Sequence, residues 1–298
     1  MFALELGGNK YAWDSFIIMG LFAAFALLFI VFLLVERRAA EPIISYGMFR
    51  KRLFAASSAA ALFYGAAFIT AAVYIPIFVQ GVMGGSATNS GLILLPLTLS
   101  SVVASQVGGM LSSKMSFRRI MIFSAVVFLL GMFLLATITP DTSRIILSVY
   151  MMITGFGIGF SFSVLSMSAI QGMEMRQRGS ANSTISFLRS LGMTIGITIF
   201  GIIQRNDFKG QLTEKLGAAS RNMPAGADPQ HMLTPEAREL IPPQVMEKIS
   251  SALSLSVDHT FLWALIPVFF ALVSVSMMGA GRMQFAQGPS AAPKQKRA

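Results

Sequence analysis

The sequence predicts an all-α integral membrane protein with seven transmembrane helices, and three observations carry that prediction. Of its 298 residues, 54% are hydrophobic and only 12% charged, against roughly 25% charged in a soluble domain. The charges cluster, so that Leu53 to Ser113 contains none. A bilayer core of about 30 Å needs about 20 apolar helical residues to cross it, and seven stretches supply them: 15–35, 54–80, 89–112, 120–138, 145–171, 181–203 and 260–280.

Each stretch is bounded by charge or by turn residues. The connection Gly81-Val-Met-Gly-Gly-Ser-Ala-Thr-Asn89 has the glycine, serine and asparagine of a tight turn. Residues 205–258 form the sizeable non-membrane segment, punctuated by Pro224, Pro229, Pro235, Pro242 and Pro243. Within it Gln244 to Ser256 places Val245, Ile249 and Leu253 on one helical face, which predicts a short helix on the outer rim.

The basic residues set the orientation. Arg37, Arg38, Arg50, Lys51 and Arg52 fall in one connection, Lys114, Arg118 and Arg119 in another, Arg176 and Arg178 in a third, and Arg282, Lys294, Lys296 and Arg297 in the tail. The alternate connections carry Lys10, no basic residue, and Arg144. By the positive-inside rule the first set is cytoplasmic, which puts the N-terminus outside a cell (plasma or inner) membrane and the C-terminus inside. The 205–258 segment holds six basic residues, but a loop of that length constrains topology weakly. The same clustering explains the net charge of +10 without a nucleic-acid partner. The partner expected on this ground is membrane lipid.

Cysteine is absent, which excludes disulfides, thiolate metal sites and cysteine nucleophiles. Residues 1–14 contain Glu5 and Asp14 and lack the basic region of a signal peptide. The first span therefore begins outside with no evident export device, and an upstream segment is expected.

The run Thr-Gly-Phe-Gly-Ile-Gly-Phe at 154–160 has the look of a phosphate-binding loop. A dinucleotide fingerprint is G-x-G-x-x-G between a strand and a helix, and here its third glycine position falls on Phe160. No strand precedes the run and no charge interrupts it. Gly155, Gly157 and Gly159 are accordingly read as helix-packing residues, with a point where the helix can bend. Gly192 and Gly196 repeat that role at small-xxx-small spacing in the next span.

Arg189 is the ionisable residue inside a predicted span, about eight residues or 12 Å from its end. Such an arginine costs on the order of 2.5–3.5 kcal/mol on insertion scales. It either snorkels or bonds a carbonyl as a register pin, or it stands in a cavity facing an anionic group. Tyr64 and Phe68 share a face at i, i+4, and with Gln171 they are the other candidates for a substrate cavity, although an aromatic stripe more often serves packing than binding. Within the predicted spans there is no carboxylate to carry a proton.

Four stretches together resemble the major facilitator superfamily, specifically its 14-helix drug:proton antiporter branch (EmrB/QacA type). "ERRAAEPIISYGMFRKRLF" (36–54) is similar to that branch's cytoplasmic link after the eighth helix, and "YIPIFVQGVMGGSATNSGLILLP" (74–96) to the next hairpin. "GGMLSSKMSFRRI" (108–120) resembles the C-terminal copy of the cytoplasmic G-x-L-A-D-R-x-G-R-K loop, carried here by Gly109, Lys114, Arg118 and Arg119. Ser113 replaces the acid of that pattern and Ser116 its second glycine, so the usual ion pair cannot form. "GSANSTISFLRSLGMTIGITIFG" (179–201) resembles the penultimate helix, Arg189 and Gly192 included.

The resemblance implies that the chain is helices eight to fourteen. Residues 1–52 would be outer loop, linker helix and cytoplasmic link, 53–281 the C-terminal six-helix bundle, and 282–298 a basic cytoplasmic tail. It implies a proton-coupled efflux transporter of small amphipathic substrates working by alternating access, with no cofactor and no metal, whose N-terminal six-helix half lies elsewhere in the same or a separate chain. A non-transporting remnant, or a half that functions only beside a separately encoded partner, is the alternative. A membrane-embedded enzyme is disfavoured: His231 and His259 lie outside the spans or at an edge, and no carboxylate pair or metal spacing occurs within them.

Overall fold

In the computed structural model residues 14–38, 46–216, 243–279 and 281 are described. The elements are α1 (Phe16–Arg38), α2 (Tyr46–Phe49), α3 (Arg52–Gly81), α4 (Ala87–Leu111), α5 (Phe117–Leu135), α6 (Arg144–Ile170), α7 (Met175–Leu216) and α8 (Pro243–Ser276). Among the described residues six helices, α3 to α8, are long and apolar enough to cross a membrane. α1 is a further apolar helix of 23 residues that makes no extensive contact with the other six. Its Phe16, Met19, Phe22, Phe25 and Leu28 are exposed.

The local signals for these elements are the ones that end apolar runs. Ser86 caps α4 by accepting from Asn89 N at 3.2 Å, and Ser143 caps α6 by accepting from Ile146 N at 3.3 Å. Gly84, at φ 67°, makes the turn between α3 and α4, a conformation that suits glycine. Pro76, Pro96 and Pro267 sit inside helices, as membrane helices tolerate.

The packing pairs the helices in a regular exchange. α3 lies along α7, and α6 lies along α4; α8 backs onto α3, and α5 backs onto α6; α3 meets α6, and α5 meets α8. Swapping α3–α4–α5 for α6–α7–α8 reproduces this set, while α7 also lies along α8 in a contact that α4 and α5 do not match. α3 starts at the basic end of the bundle and α6 at the opposite end, so the two triplets form an inverted repeat.

Glycine makes the two principal contacts possible. A Cβ on Gly192 would fall on the Leu62 carbonyl oxygen, and one on Gly65 would fall on the carbonyl oxygen of Arg189. A Cβ on Gly196 would stand 2.5 Å from the Ala66 oxygen. The α6–α4 contact is built the same way, since Gly155 faces the Leu97 carbonyl and Gly159 the Ser101 carbonyl. Gly157, about 200° around the helix from Gly155, faces the backbone of Phe128 on α5. The alternating glycines of 155–159 thus serve two neighbours at once.

The segment read from sequence as a long loop is corrected here. α7 stays helical to Leu216 and α8 starts at Pro243, so residues 205–216 and 243–258 belong to helices, and Gln244 to Ser256 is the first half of α8 rather than a separate helix on the rim. At 1.5 Å per residue α7 is about 63 Å long and α8 about 51 Å, well beyond the bilayer core. The apolar residues Ile249 and Leu253, read as one helical face, pack with Phe208 and Leu212 in the core. Gln204 Nε2 donates to Ser256 Oγ at 3.1 Å, and Lys215 Nζ bonds Ser251 Oγ. His259 Nδ1 meets Asp207 Oδ2 at 2.9 Å. Hydropathy alone ended the spans too early because these extensions alternate polar and apolar faces.

Two outcomes follow from this packing. Gly192→Ala should lower the thermal stability of the purified chain by about 1–3 kcal/mol of overpacking strain, while Gly210→Ala on the same helix, where a Cβ meets nothing within 4 Å, should not lower it. Thermal unfolding in detergent compares the two, and equal behaviour would contradict the close α3–α7 approach. Because the chain has no cysteine, Gln204→Cys combined with Ser256→Cys should cross-link readily under mild oxidation. A loop over 205–258 would give no selective bond, so gel mobility separates the two arrangements.

Candidate functional site

The candidate cavity residues do not converge on one point. Tyr64 is wholly buried, its hydroxyl 2.9 Å from Ser124 Oγ on α5 and its ring stacked 5.4 Å from Phe128. Ser124 in turn donates to the Gly157 carbonyl at 2.7 Å. Tyr64 is therefore a packing residue joining α3, α5 and α6. Phe68, one turn on, goes to a different neighbour and meets Phe162 of α6 edge-on at 6.0 Å. The shared i, i+4 face was read correctly, but the two side chains divide between adjacent helices.

Gln171 caps the C-terminus of α6, ten residues or about 15 Å along the helix from Ser161, and stands apart from Phe68 and Arg189. Beside it, Gly172 at φ 68° ends the helix, and Lys51 Nζ donates to the Gly172 carbonyl at 2.8 Å. Arg52 Nε does the same for Met277 O at 2.7 Å, at the end of α8. Cations on the terminal carbonyls of helices are favourable both as caps and against the helix dipole. Part of the basic cluster is thus a set of fasteners for α6 and α8.

The loop residues divide similarly. Gly109 lies near the end of α4, where a Cβ would stand 3.4 Å from Met167 Cε. Lys114, Arg118 and Arg119 are exposed and pair with no described carboxylate. Ser113, in the acid's place, turns its hydroxyl back to Met110 O at 2.8 Å. The loop is held instead through its backbone, with Phe117 N donating to Gly281 O at 2.9 Å.

Arg189 lies fourteen residues into α7, about 21 Å from the helix start. It reaches across to α6, donating through Nη2 to Ser161 O at 3.0 Å, and its guanidinium lies 4.7 Å from the centre of the Phe162 ring. That is a cation–π arrangement, with Phe68 at the edge of the same ring. Arg189, Phe162 and Phe68 therefore form one group where α3, α6 and α7 meet. Ser161 and Phe162 were not singled out in the sequence; their position one and two residues beyond the glycine run was the available signal.

A carboxylate within a membrane helix was also missed. Asp258 sits in α8, inside the candidate span Gln244–Ser276, with Oδ1 shielded and without a partner. The sequence reading placed it in a loop and so counted no acid in any span. An apolar groove of about 770 Å³ lies among α4, α5 and α6, lined by residues such as Leu92, Leu99, Val127, Met152 and Phe156. Ser100, its polar member, bonds its own helix at Leu97 O.

Two inverted three-helix units, each of whose helices is long and apolar enough to cross a membrane, define a multi-pass membrane bundle. The chain belongs to the Major Facilitator Superfamily, whose family model matches residues 2–197. It is 48% identical to "Multidrug resistance protein 3" of Bacillus subtilis (strain 168) over 95% of this chain and 56% of that protein. It is 34% identical to the "Multidrug transporter protein MdtP" of the same organism, over 76% of this chain and 42% of that one. The crystal structure of a bacterial homolog of the human lysosomal transporter Spinster, inward-facing and unoccupied, superposes with a TM-score of 0.58 at 17% identity. That match covers 80% of this chain and 51% of that one, and it shows the fold alone. The chain spans about half the length of the relatives it matches.

Proposed function

We propose that this chain is the C-terminal half of a proton-coupled multidrug efflux transporter of the 14-helix branch. It would contribute one linker helix and one six-helix bundle to a machine that rocks two such bundles about a midplane cavity. The observation that carries the reading is the chemistry of the outer faces of α4 and α7, the two helices exchanged by the inverted repeat. At membrane depth α4 exposes Thr98 and Gln106, and α7 exposes Asn182, Ser183, Ser186 and Ser190. Small and polar residues favour a helix neighbour over lipid tails. The backs of α5 and α8 differ, exposing Phe123, Phe133, Leu262, Trp263 and Phe269, which suit lipid.

On this reading α4 and α7 meet the complementary six-helix half, and α3 and α6 line the cavity for amphipathic substrates. The names of the relatives support drug efflux. The basic end is cytoplasmic by the positive-inside rule, the membrane being the plasma or inner membrane.

The chain expressed alone should insert stably and confer no drug resistance, since the cavity has one wall. Co-expression with the N-terminal half of the Bacillus subtilis relative should restore proton-dependent dye efflux. Efflux by the chain alone would overturn the half-transporter reading. Stable insertion with no efflux from the pair would favour the non-transporting remnant.

Orientation has its own test. An impermeant thiol reagent applied to intact cells should label Asp141→Cys, in the exposed α5–α6 connection, and leave Ser113→Cys, in the exposed α4–α5 connection, unlabelled. The reverse pattern would invert the topology.

A further inference from the structure

The contact between α6 and α7 is incomplete in a specific way. Arg189 uses Nη2 on the Ser161 carbonyl, while its Nε is buried with no partner. Ser161 is itself fully buried, and its hydroxyl is also without a partner. Buried polar atoms lacking any hydrogen bond are rare. Here two of them, both able to donate, occur at one contact on two different helices. No described carboxylate pairs with Arg189, so its charge is balanced only by a carbonyl and an aromatic face.

The unmet donors specify what would complete them. A guanidinium offers five N–H groups in a planar fork, and a carboxylate matches that fork with two oxygens in one plane. The Ser161 hydroxyl adds a third donor from α6. The Phe162 ring lies 4.7 Å from the guanidinium carbon, and Phe68 meets that ring from α3. An uncharged acceptor would satisfy a donor but leave a cation uncompensated at membrane depth, where ionisable groups are costly. Arg189 is half-buried as a residue, but its Nε and the Ser161 hydroxyl are shielded, so a group entering from the open side reaches those two donors only if the guanidinium turns or α6 and α7 part.

We propose that Arg189 and Ser161 form a carboxylate-binding site between α6 and α7, braced by Phe162. The carboxylate comes from an amphipathic anionic substrate or from an acidic side chain of the complementary half. The assignment rests on the reading of the chain as a transporter half, because that reading supplies both sources.

The test uses the 298-residue chain in phosphatidylcholine nanodiscs, with 2-naphthoate and the uncharged 2-naphthamide as matched probes in equilibrium dialysis. Naphthoate should bind about tenfold more tightly than the amide, the worth of a charged hydrogen-bonded contact, and should shift the Arg189 Nε–H resonance. Arg189→Gln should abolish the preference. Arg189→Lys should keep part of it, since the charge remains and the fork is lost, and Ser161→Ala should weaken it. Equal binding of both probes by the wild-type chain, or a preference that survives in Arg189→Gln, would overturn the proposal. Repeating the titration with the complementary half present assigns the source: naphthoate excluded means an acidic side chain occupies the site, and naphthoate retained means a substrate does. A preserved preference without efflux from the paired halves would remove the transporter reading and leave the site standing.

Discussion

The whole bundle depends on backbone-to-backbone approach at glycines. In a bilayer, helices gain little from the hydrophobic effect on meeting, because lipid tails are as apolar as leucine; close van der Waals packing must hold them instead. Gly192 and Gly196 bring α7 onto the carbonyls of Leu62 and Ala66, and Gly155 and Gly159 bring α6 onto those of Leu97 and Ser101. These two contacts are equivalent under the inverted repeat. Gly157 then presses α6 onto α5 at Phe128. With α3–α7 and α6–α4 set, the remaining helices have defined backs to fill, and α8 and α5 fill them. Tyr64 secures the centre, since its hydroxyl and Ser124 form a chain that ends on the carbonyl of Gly157.

Charge plays two opposite parts in the same molecule. At the basic end, Lys51 and Arg52 meet terminal carbonyls of α6 and α8, where cations are stabilised by helix ends and where water is near. Arg189 faces a carbonyl as well, but in mid-helix, with no helix terminus to offset it. The first arrangement is self-sufficient. The second holds an ionised group where charge is costly, with most of its donors unused. That contrast, rather than the mere presence of arginine in a span, separates a fastener from a binding group.

Much of this was legible in the sequence, and the parts that were not share a cause. Apolar length and clustered cations mark the helices and their alternation, because the bilayer imposes both. The turn at Gly84 and the caps at Ser86 and Ser143 were readable from residue type. The glycine run reads as helix packing, and in the structure Gly155 and Gly159 meet α4 while Gly157 meets α5. The true ends of α7 and α8 were not legible. Their extensions bury Phe208, Leu212, Ile249 and Leu253 in the core while exposing polar faces, so a uniform apolar run does not describe them. Asp258 was misplaced for the same reason. The separation of Tyr64 from Phe68 was out of reach because a 40° difference around one helix decides which neighbour each meets, and neighbours are a tertiary fact.

The distribution of polar groups then limits what each surface can do. Almost every outward face of the bundle is apolar, so apolarity by itself cannot distinguish a face that meets lipid from one that meets another helix bundle. α5 and α8 show aromatic and branched side chains to the outside, and α4 and α7 interleave theirs with hydroxyls and amides. The cost of a hydroxyl at membrane depth is small when it bonds its own helix, as Thr98 does to Leu94 O and Leu95 O, so such residues persist without a compelled partner. A guanidinium has no such internal solution, because the carbonyls within its reach cannot neutralise its charge. Serines and threonines therefore mark where a helix neighbour is permitted, and Arg189 marks where a cation has no counter-ion among the described residues. The fold brings the two together, since the α7 helix that exposes Ser183, Ser186 and Ser190 also carries Arg189 inward to α6.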